Sequence, residues 1–380
     1  MGEVRLVGDD DPGSFGILDS PGNKQSVVDK HIDDLLRLTA SSGASDLHLT
    51  AGLPPMIRVD GDLVQTEYAV LAPRDTQRLV YDILTNDQIQ WFEKTRELDF
   101  SYGVTDVGRF RVNVYRQRGI VGAALRSIPS QIPSMEELGL PPLLKELSRK
   151  HSGLVLVTGP TGSGKSTTIA TMIDSINSER NCHIMTIEDP IEYLHRHKHS
   201  MVNQREINTD TDSFENALRA VLREDPDVIL IGEMRDLETI ASALTLAETG
   251  HLVFGTLHTR NAPQTMDRIV DVFPPHQQDQ IKVQVSNSLE AIVAQQLIPK
   301  VGGGRYAAIE ILVATSAIRN LIREGKTFQI YSSMETGGVK GMTTMDKVLA
   351  DACKRGIISH EDAVVRAMDK DNFMRFLNNV

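Results

Sequence analysis

The segment G-P-T-G-S-G-K-S at residues 159–166 constrains the fold more than any other feature of this sequence. It fits the pattern G-x-x-x-x-G-K-[ST], in which glycines let backbone N–H groups turn toward phosphate oxygens. The apolar run L-V-L-V precedes it, and a helix with Ile169, Met172, Ile173 and Ile176 on one face follows it. Because a phosphate-binding loop requires this order of strand, loop and helix, the segment predicts a nucleotide site within an α/β domain.

The whole loop is a candidate ligand set for a nucleoside triphosphate. Lys165 is expected to reach the β- and γ-phosphates, and the Ser166 hydroxyl is expected to ligate Mg²⁺. The candidate binding residues are Gly159, Pro160, Thr161, Gly162, Ser163, Gly164, Lys165, Ser166 and Thr167. The alternative is a glycine-rich turn that binds nothing, and the flanking strand and helix argue against it.

A bound triphosphate also needs acidic groups that hold the metal and orient water. Glu233 follows the apolar run V-I-L-I at 228–231, so we expect it at the carboxyl end of a strand, where open α/β sheets bind ligands. Gly232 stands where many phosphate-loop enzymes carry an Asp linked to the metal. This departure leaves the division of roles between adjacent acids open.

A second acidic group, E-D-P-I-E at 188–192, follows another apolar run. Its three carboxylates would repel one another unless a cation lay among them. The alternative is the start of a helix, because acidic residues stabilise helix N-termini. The nearby phosphate loop favours the functional interpretation.

Composition along the chain predicts two domains. Residues 1–27 are rich in Asp, Gly, Ser and Pro without periodicity, and we interpret them as a disordered extension. Residues 28–128 combine helical spacing with alternating strands and a hairpin signal at Asp60-Gly61, which indicates a small α+β domain. The proline-rich residues 129–142 are typical of a linker, and residues 143–380 form the predicted α/β domain.

The hydrophobic patterns of the two domains differ. In G-R-F-R-V-N-V-Y-R, apolar and polar residues alternate, which predicts an antiparallel sheet with one solvated face. In the second domain, the apolar runs G-L-V-L-V-T-G, H-I-M-T-I-E-D, D-V-I-L-I-G-E and H-L-V-F-G-T-L-H predict parallel strands buried on both faces. A helix with an apolar face formed by Phe214, Leu218, Val221 and Leu222 lies between them. These patterns predict three layers, with a mostly helical part from His276 onward.

Charge and composition exclude several classes of protein. Forty basic and 51 acidic side chains give a net charge of −11, which argues against a nucleic-acid-binding protein because such binding depends on phosphate neutralisation. No apolar stretch approaches the ~20 residues of a membrane span, and the first residues do not form a secretory signal. Two isolated cysteines, Cys182 and Cys353, indicate reduced thiols and a cytoplasmic protein. Peripheral membrane contact through a partner stays open.

Two further segments have competing interpretations. The run H-R-H-K-H places His195, His197 and His199 on one side of an extended chain, which could form a metal site, but a solvated basic segment is favoured. A-I-R-N-L-I-R-E-G-K at 317–326 is amphipathic, with Ile318, Leu321 and Ile322 inward and Arg319 and Arg323 outward.

Four ordered segments resemble a known family. They are G-P-T-G-S-G-K-S-T, T-I-E-D-P-I-E-Y, L-R-E-D-P-D-V-I-L-I-G-E-M-R-D and T-G-H-L-V-F-G-T-L-H-T, and they are similar to the secretion-type ATPases of type II secretion, pilus assembly and pilus retraction. The resemblance runs from about residue 28 to the end. It implies a RecA-like P-loop domain preceded by a small PAS-like α+β domain.

The branch is indicated by two features. The assembly and secretion motors carry a four-cysteine zinc insertion, and this chain has only two cysteines. The 317–326 segment resembles the hallmark of the type IV pilus retraction ATPases (PilT family), in which its exposed side matters for retraction. The accessory retraction ATPases (PilU family) are the close alternative.

The resemblance also implies roles for single residues. Glu192 would activate water, and Glu233 would act with Mg²⁺. His251 and His258 would couple the γ-phosphate to a neighbouring subunit. Arg111 and Arg126 would approach a nucleotide bound by the adjacent subunit, although most arginines on the wet face of a sheet are only solvated, and His251 could simply cap a turn.

The resemblance therefore predicts an ATP-hydrolysing, homohexameric ring with Mg²⁺ and ATP as cofactors. Its expected partners are an inner-membrane pilus platform protein and the accessory retraction ATPase, and its expected place is the cytoplasmic side of the inner membrane at the pilus base. Two other classes stay open: a nucleic-acid translocase, which the acidic charge opposes, and a regulatory scaffold without hydrolysis, which the intact Lys165, Ser166, Glu192 and Glu233 oppose.

Overall fold

A computed structural model describes residues 25–129, 131–337 and 341–378. Two compact units meet in sequence between Ser127 and Ile128. The predicted extension lies outside the described residues as far as residue 24, and Val27 is already buried in the first unit. Within the predicted linker, Met135 and Leu140 pack into the core of the second unit. A linker function for 129–142 stays a prediction.

Between residue 25 and residue 128, the chain forms one sheet and three helices. Its sheet has the strand order β3-β2-β1-β6-β5-β4. The helices are α1 (Ile32–Ser41), α2 (Pro73–Tyr81) and α3 (Asn86–Thr95), and the strands are β1 (Asp46–Leu49), β2 (Met56–Val59), β3 (Asp62–Gln65), β4 (Glu97–Val104), β5 (Gly108–Gln117) and β6 (Ile120–Ile128). The predicted hairpin joins β2 and β3, and both turn residues have positive φ, +50° at Asp60 and +97° at Gly61, as a tight hairpin requires.

The predicted one-sided sheet is confirmed in β5. Phe110, Val112 and Val114 are buried, whereas Arg111 is exposed. Because neighbouring residues of a strand point to opposite faces, one face of β5 belongs to the core and the other meets solvent.

The second unit is built on a seven-stranded sheet in the order β13-β12-β7-β11-β10-β8-β9. Its strands are β7 (Gly153–Thr158), β8 (His183–Glu188), β9 (Met201–Glu206), β10 (Val228–Ile231), β11 (Leu252–Leu257), β12 (Leu289–Pro299) and β13 (Arg305–Val313). All neighbouring strands run parallel except β12 and β13, which are antiparallel.

Helices complete the second unit. They are α4 (Leu143–Ser148), α5 (Lys165–Glu179), α6 (Phe214–Val221), α7 (Leu237–Glu248), α8 (Ala262–Asp271), α9 (Pro275–Ser288), α10 (Ser316–Arg323), a 3₁₀ helix (Thr327–Gln329), α11 (Ile330–Thr336), α12 (Met345–Lys354), α13 (His360–Arg366) and α14 (Lys370–Asn378). None of the helices within the described ranges combines the length and apolar character that crossing a membrane requires.

The predicted three-layer arrangement is confirmed by the two cores on the sheet. Leu154 and Leu156 of β7 pack with α6, α7, α8 and α9, whereas Val155 and Val157 pack with α4 and α5. Alternate residues of one strand therefore supply both cores, which is why β7 reads as an unbroken apolar run.

One sequence prediction about the helices was wrong. Leu222 follows the end of α6 and is 52% exposed, so it does not belong to the buried face of that helix. In the part from His276 onward, which was predicted to be mostly helical, two strands, β12 and β13, occur among the helices and extend the central sheet. These strands form an antiparallel pair that turns through glycines at 302–304, and the tight turn allows them to join one edge.

The buried aromatic ring on β11 predicts a large stability effect. Phe254→Ala should lower the free energy of unfolding by about 3–5 kcal/mol, because it leaves a cavity in a fully buried strand. Urea unfolding followed by circular dichroism measures this, since Trp91, the single tryptophan, reports on the first unit.

The matched control is Phe328→Ala. Phe328 is 76% exposed, so its loss should change the free energy of unfolding by less than about 0.5 kcal/mol. Equal effects of the two substitutions would contradict the assignment of the core.

Candidate active site

The carboxyl ends of β7, β8, β10 and β11 meet at one cleft in the second unit. Parallel strands end at the same edge of a sheet, so the residues that follow them converge there. The cleft is lined by Thr161, Lys165, Ser166, Ile169, Ala170, Glu188, Asp189, Pro190, Glu192, Tyr193, His195, Leu230, Gly232, Glu233, Thr256 and His258. It therefore brings together the phosphate loop, Glu192, Glu233 and His258, as the sequence predicts.

The phosphate loop needs glycine at two positions for steric reasons. Gly159 has φ +145°, and a Cβ there would lie 2.3 Å from the carbonyl oxygen of Gln295 on β12. Gly164 has φ +87°, and a Cβ there would lie 2.9 Å from the Gln295 side chain. Only glycine permits both these backbone conformations and the close approach to β12.

Lys165 folds back on its own loop. Its Nζ donates to the carbonyl oxygen of Gly159 at 2.8 Å and to that of Pro160 at 3.2 Å. Burial lowers the pKa of Lys165, and the nearby carboxylates of Glu233 and Glu192 act in the opposite direction. The ammonium therefore lies inside the loop, at the position from which it can contact phosphate oxygens.

Hydroxyl groups of the loop and of α5 complete this wall. The Oγ of Ser163 is buried without a hydrogen-bond partner, which is costly unless a ligand supplies one. Thr168 donates to Gln295 Oε1 at 2.7 Å, and Thr167 shares a hydrogen bond of 2.9 Å with the Tyr193 hydroxyl. The orphaned Ser163 hydroxyl and the glycine cradle fit a bound phosphate.

Glu233 is held by two side chains, Arg235 and His258. Its Oε1 lies 2.9 Å from Nε2 of His258, and Arg235 donates to both of its oxygens, with Nη2 2.6 Å from Oε2. Burial acts to raise the pKa of Glu233, but Arg235 and His258 outweigh it, so the pKa lies below its usual value. Because the Arg235 side chain is 73% exposed, solvent weakens this ion pair.

Gly232 stands where many phosphate-loop enzymes carry an Asp, and a side chain there would be tightly packed. A Cβ there would lie 3.1 Å from both the Cα of Glu188 and the carbonyl oxygen of Ile187. Its N–H also donates to Ile187 at 2.8 Å, which keeps β10 and β8 close together. A side chain at this position would therefore require β8 and β10 to move apart by a few tenths of an ångström.

Two residues of the cleft have strongly shifted pKa values. Burial raises the pKa of Glu188 to about 7, although Thr186 and Gln204 donate to its carboxylate at 2.6 and 3.1 Å. Burial lowers the pKa of His195 to about 4, and its Nδ1 is buried without a partner. Glu188 was predicted only as one of an acidic group, and His195 only as one of three histidines.

Glu192 lies in an irregular loop, residues 189–200, between β8 and β9. No helix begins at the acidic group, so the alternative of a stabilised helix start was wrong. A proline at position 190 opposes such a helix because it restricts the residue before it. Glu192 is exposed at the cleft, opposite the phosphate loop.

Three predicted site residues, His251, Arg111 and Arg126, are not among the residues that line the cleft. His251 precedes β11, at the opposite end of that strand from His258, and its Nδ1 contacts the Leu246 carbonyl oxygen at 2.9 Å. Arg111 on β5 is exposed, and Arg126 on β6 donates to Asp46 at 2.7 Å while its side chain stays 72% exposed. Their roles toward a neighbouring subunit stay predictions.

The two ambiguous segments are also placed. His197 Nδ1 accepts from the Val202 N–H, and His199 Nδ1 lies 2.6 Å from the Ser178 carbonyl oxygen. Within the described residues, no group of three or more acidic, histidine or cysteine side chains is arranged to hold a metal. The outward placement of Arg319 was wrong. Its guanidinium binds the carbonyl oxygens of residues 286 and 287 at 2.7 and 2.8 Å, because these end α9 and lack helical donors.

Comparison with known proteins decides the family. Residues 22–364 match the family described as type II/IV secretion system protein. The chain belongs to this family. The match covers both units and all four motifs, so the predicted resemblance is confirmed, together with its RecA-like P-loop fold.

The most similar relatives place the chain within the secretion ATPase family. It is 54% identical to the type IV pilus retraction ATPase PilT of Pseudomonas aeruginosa, over 90% of this chain and 99% of that protein. It is 43% identical to the type IV pilus ATPase PilU of the same organism, over 91% of this chain and 90% of that protein. A crystal structure of the pilus retraction motor PilT with bound ADP has a TM-score of 0.86 at 53% identity and covers 91% of this chain and 99% of that one. The chain lies on the retraction branch, nearer PilT than PilU.

The tight contact at Gly232 generates a prediction for this secretion ATPase. Gly232→Ala should lower the free energy of unfolding by about 1–3 kcal/mol and weaken ADP binding, because its Cβ would press on backbone atoms of β8 that cannot move freely. Urea unfolding and titration with fluorescent ADP measure both effects.

Gly103→Ala is the matched control, since a Cβ there meets nothing within 4 Å. It should leave ADP binding unchanged. A Gly232→Ala protein with unaltered stability and affinity would show that the strands have room at this point.

The raised pKa of Glu188 predicts a pH dependence. The folded state holds this proton up to about pH 7, whereas the ordinary value is 4.5, so the contribution of Glu188 to stability is lost as the pH rises through this range. Glu188→Gln should therefore lose less stability than the wild type between pH 5 and pH 8, by on the order of 1–3 kcal/mol. Urea unfolding at several pH values measures the difference.

His195 titrates in the same range with the opposite sign, because its pKa is lowered on folding. It is present in both proteins, so the comparison isolates Glu188. Parallel pH profiles of wild type and variant would refute the assignment.

Proposed function

We propose that this chain is the ATP-hydrolysing subunit of a homohexameric ring motor that powers type IV pilus retraction and thereby twitching motility. The observation that carries the proposal is the convergence of the phosphate loop, Glu192, Glu233 and His258 on one cleft. The names of the PilT relatives and their near-complete coverage support the retraction function.

Nucleotide binding belongs to the phosphate loop, residues 159–167. On binding, Lys165 exchanges the carbonyl oxygens of Gly159 and Pro160 for phosphate oxygens. The buried Ser163 hydroxyl gains a partner, and the N-terminus of α5 faces the negative charge.

The residues present also fit Mg²⁺. Ser166 and Glu233 both line the cleft and offer oxygen ligands, and magnesium commonly uses one or two protein oxygens together with phosphates. When bound, Mg²⁺ neutralises charge on the phosphates. Ser166 and Glu233 would hold it, and His258, 2.9 Å from Glu233 Oε1, would keep that carboxylate oriented.

Glu192 is assigned as the general base that accepts a proton from the attacking water. Its carboxylate is exposed at the cleft, and a base must reach the proton that it removes. The charge of Glu192 acts to raise the pKa of Lys165, so the two side chains lie near each other. These roles divide the work between Glu192 at the water and Glu233 at the metal.

Neighbouring subunits supply the remaining charges in this proposal. Arg111 and Arg126 of the first unit are exposed, and surface ion pairs such as that of Arg126 with Asp46 are exchanged at little cost. His251 and His258 lie at opposite ends of β11. In this proposal, the strand connects the cleft to the opposite edge of the sheet. Nucleotide binding and release then move one unit against the other across residues 129–142.

The motor is placed on the cytoplasmic side of the inner membrane, bound peripherally at the pilus base. Its partners are the inner-membrane platform protein and the accessory retraction ATPase. The acidic net charge of −11 and the secretion-family match favour this proposal over a nucleic-acid translocase.

Two substitutions separate binding from hydrolysis. Lys165→Ala should abolish ADP binding and turnover, whereas Glu192→Gln should retain ADP binding and lower kcat by about 10²–10⁴-fold, because it keeps the cleft but removes the base. Fluorescent-ADP titration and steady-state phosphate release measure them. Unchanged turnover in either variant would refute the assigned roles.

A cell experiment tests retraction itself. Cells lacking the gene should carry pili but not twitch, and wild type but not Glu192→Gln should restore twitching. Loss of pili in the deletion strain would indicate an assembly motor instead.

A further inference from the structure

We propose that Gln204 and Glu206, two side chains of β9, position Glu192 for hydrolysis by holding its neighbours on both sides. This inference rests on the proposed function, because it takes Glu192 as the base. It concerns residues outside the four motifs that identify the family, on the edge strand of the sheet.

Glu192 depends on its backbone for its position. Within the described residues, no hydrogen bond holds its carboxylate, and the loop 189–200 around it contains no helix or strand. Its own N–H points to the Glu188 carboxylate. An exposed side chain on an irregular loop would sample many positions unless other groups fixed the loop.

Gln204 holds the loop after Glu192. Its Nε2 donates to the Tyr193 carbonyl oxygen at 2.9 Å and to Glu188 Oε1 at 3.1 Å, while its Oε1 accepts from the His195 N–H at 2.8 Å. The Gln204 amide therefore uses both its donor and its acceptor. It joins Glu188, at the end of β8, to the backbone of Tyr193 and His195, which follow Glu192.

Glu206 holds the loop before Glu192. Its Oε2 accepts from the N–H of Ile191 at 3.1 Å, and its side chain is buried. Hydrogen bonds to a buried carboxylate are among the stronger ones in proteins. The residues on both sides of Glu192 are thus each bound by a side chain of β9.

The sheet explains why these two side chains act together. β9 runs parallel to β8, with Gln204 opposite Thr186 and Glu206 opposite Glu188. Residues two apart on a strand share one face, so Gln204 and Glu206 both face the loop while Asn203 points to the other side. β8 leads directly into the same loop. The position of Glu192 is therefore fixed by two hydrogen-bonded strands, β8 and β9.

A further contact links this loop to the nucleotide site. The Tyr193 hydroxyl lies 2.9 Å from Oγ1 of Thr167, in the first turn of α5. The loop is therefore fixed relative to the phosphate loop as well as to β9. Displacing a reactive group by about 1 Å can cost about 100-fold in rate, so loss of the β9 contacts should reduce kcat and spare binding.

The test uses the full chain. Gln204→Leu and Glu206→Leu should each lower kcat about 10-fold to 100-fold while the Kd for fluorescent ADP stays within about twofold. Glu206→Gln keeps an oxygen that accepts from Ile191, so it should retain more than about half of the wild-type kcat. Asn203→Leu removes the neighbouring amide from the opposite face and should leave both parameters unchanged.

The result that would overturn the inference is a wild-type kcat in Gln204→Leu, or equal losses of kcat and ADP affinity. Should Gln204→Leu not fold, as judged by circular dichroism, Gln204→Glu replaces it. This variant keeps the size of the side chain but cannot donate to Tyr193 as a carboxylate, so the same loss of kcat is expected, and a wild-type kcat would again refute the inference.

Glu192→Gln, measured in the same assay, separates the two proposals. Full turnover in Glu192→Gln would refute its role as the base and with it the positioning role. An inactive Glu192→Gln beside fully active Gln204 and Glu206 variants would refute only the positioning role.

Discussion

The close approach of the phosphate loop to β12 is the contact on which the site depends. Gly159 and Gly164 both pass Gln295 at distances that no Cβ would tolerate. The Gln295 side chain then accepts from Thr168 at 2.7 Å and so joins β12 to the first turn of α5. Because loop and helix are both held against the sheet, the buried ammonium of Lys165 lies at a defined place inside the loop.

The parallel sheet brings the other residues of the site to the same edge as the phosphate loop. β7, β11, β10 and β8 are neighbours that run in one direction, so the loop after each strand opens at the same edge. Glu233 and His258 therefore meet at 2.9 Å although they come from different strands. The same rule places His251 at the other edge, where it can act only outside the cleft of its own chain.

Those parts of the site that contiguous residues encode could be predicted from the sequence. The phosphate loop, Glu192 and Glu233 lie in short segments beside apolar runs. The chemistry of these residues and their place at the ends of strands can therefore both be recognised in the sequence. Gln295 and Gln204 are ordinary amides on strands, and their importance arises only when distant segments meet. The strands β12 and β13 were not predicted because most of their residues are buried and their few polar residues do not alternate with the apolar ones. The contacts of Arg319 were not predicted because its carbonyl partners lie about 30 residues away.

The electrostatic environments of Glu188 and Glu233 separate their functions. Burial raises the pKa of Glu188 to about 7, whereas Arg235 and His258 hold that of Glu233 below its usual value against the effect of burial. Two carboxyl groups with pKa values moved apart take different roles, one as a proton-bearing group and one as an anion. Glu233 therefore stays an anion, as its proposed role beside a cation requires. Glu188 can be neutral near pH 7, which reduces repulsion among the acids around Lys165 before a nucleotide arrives.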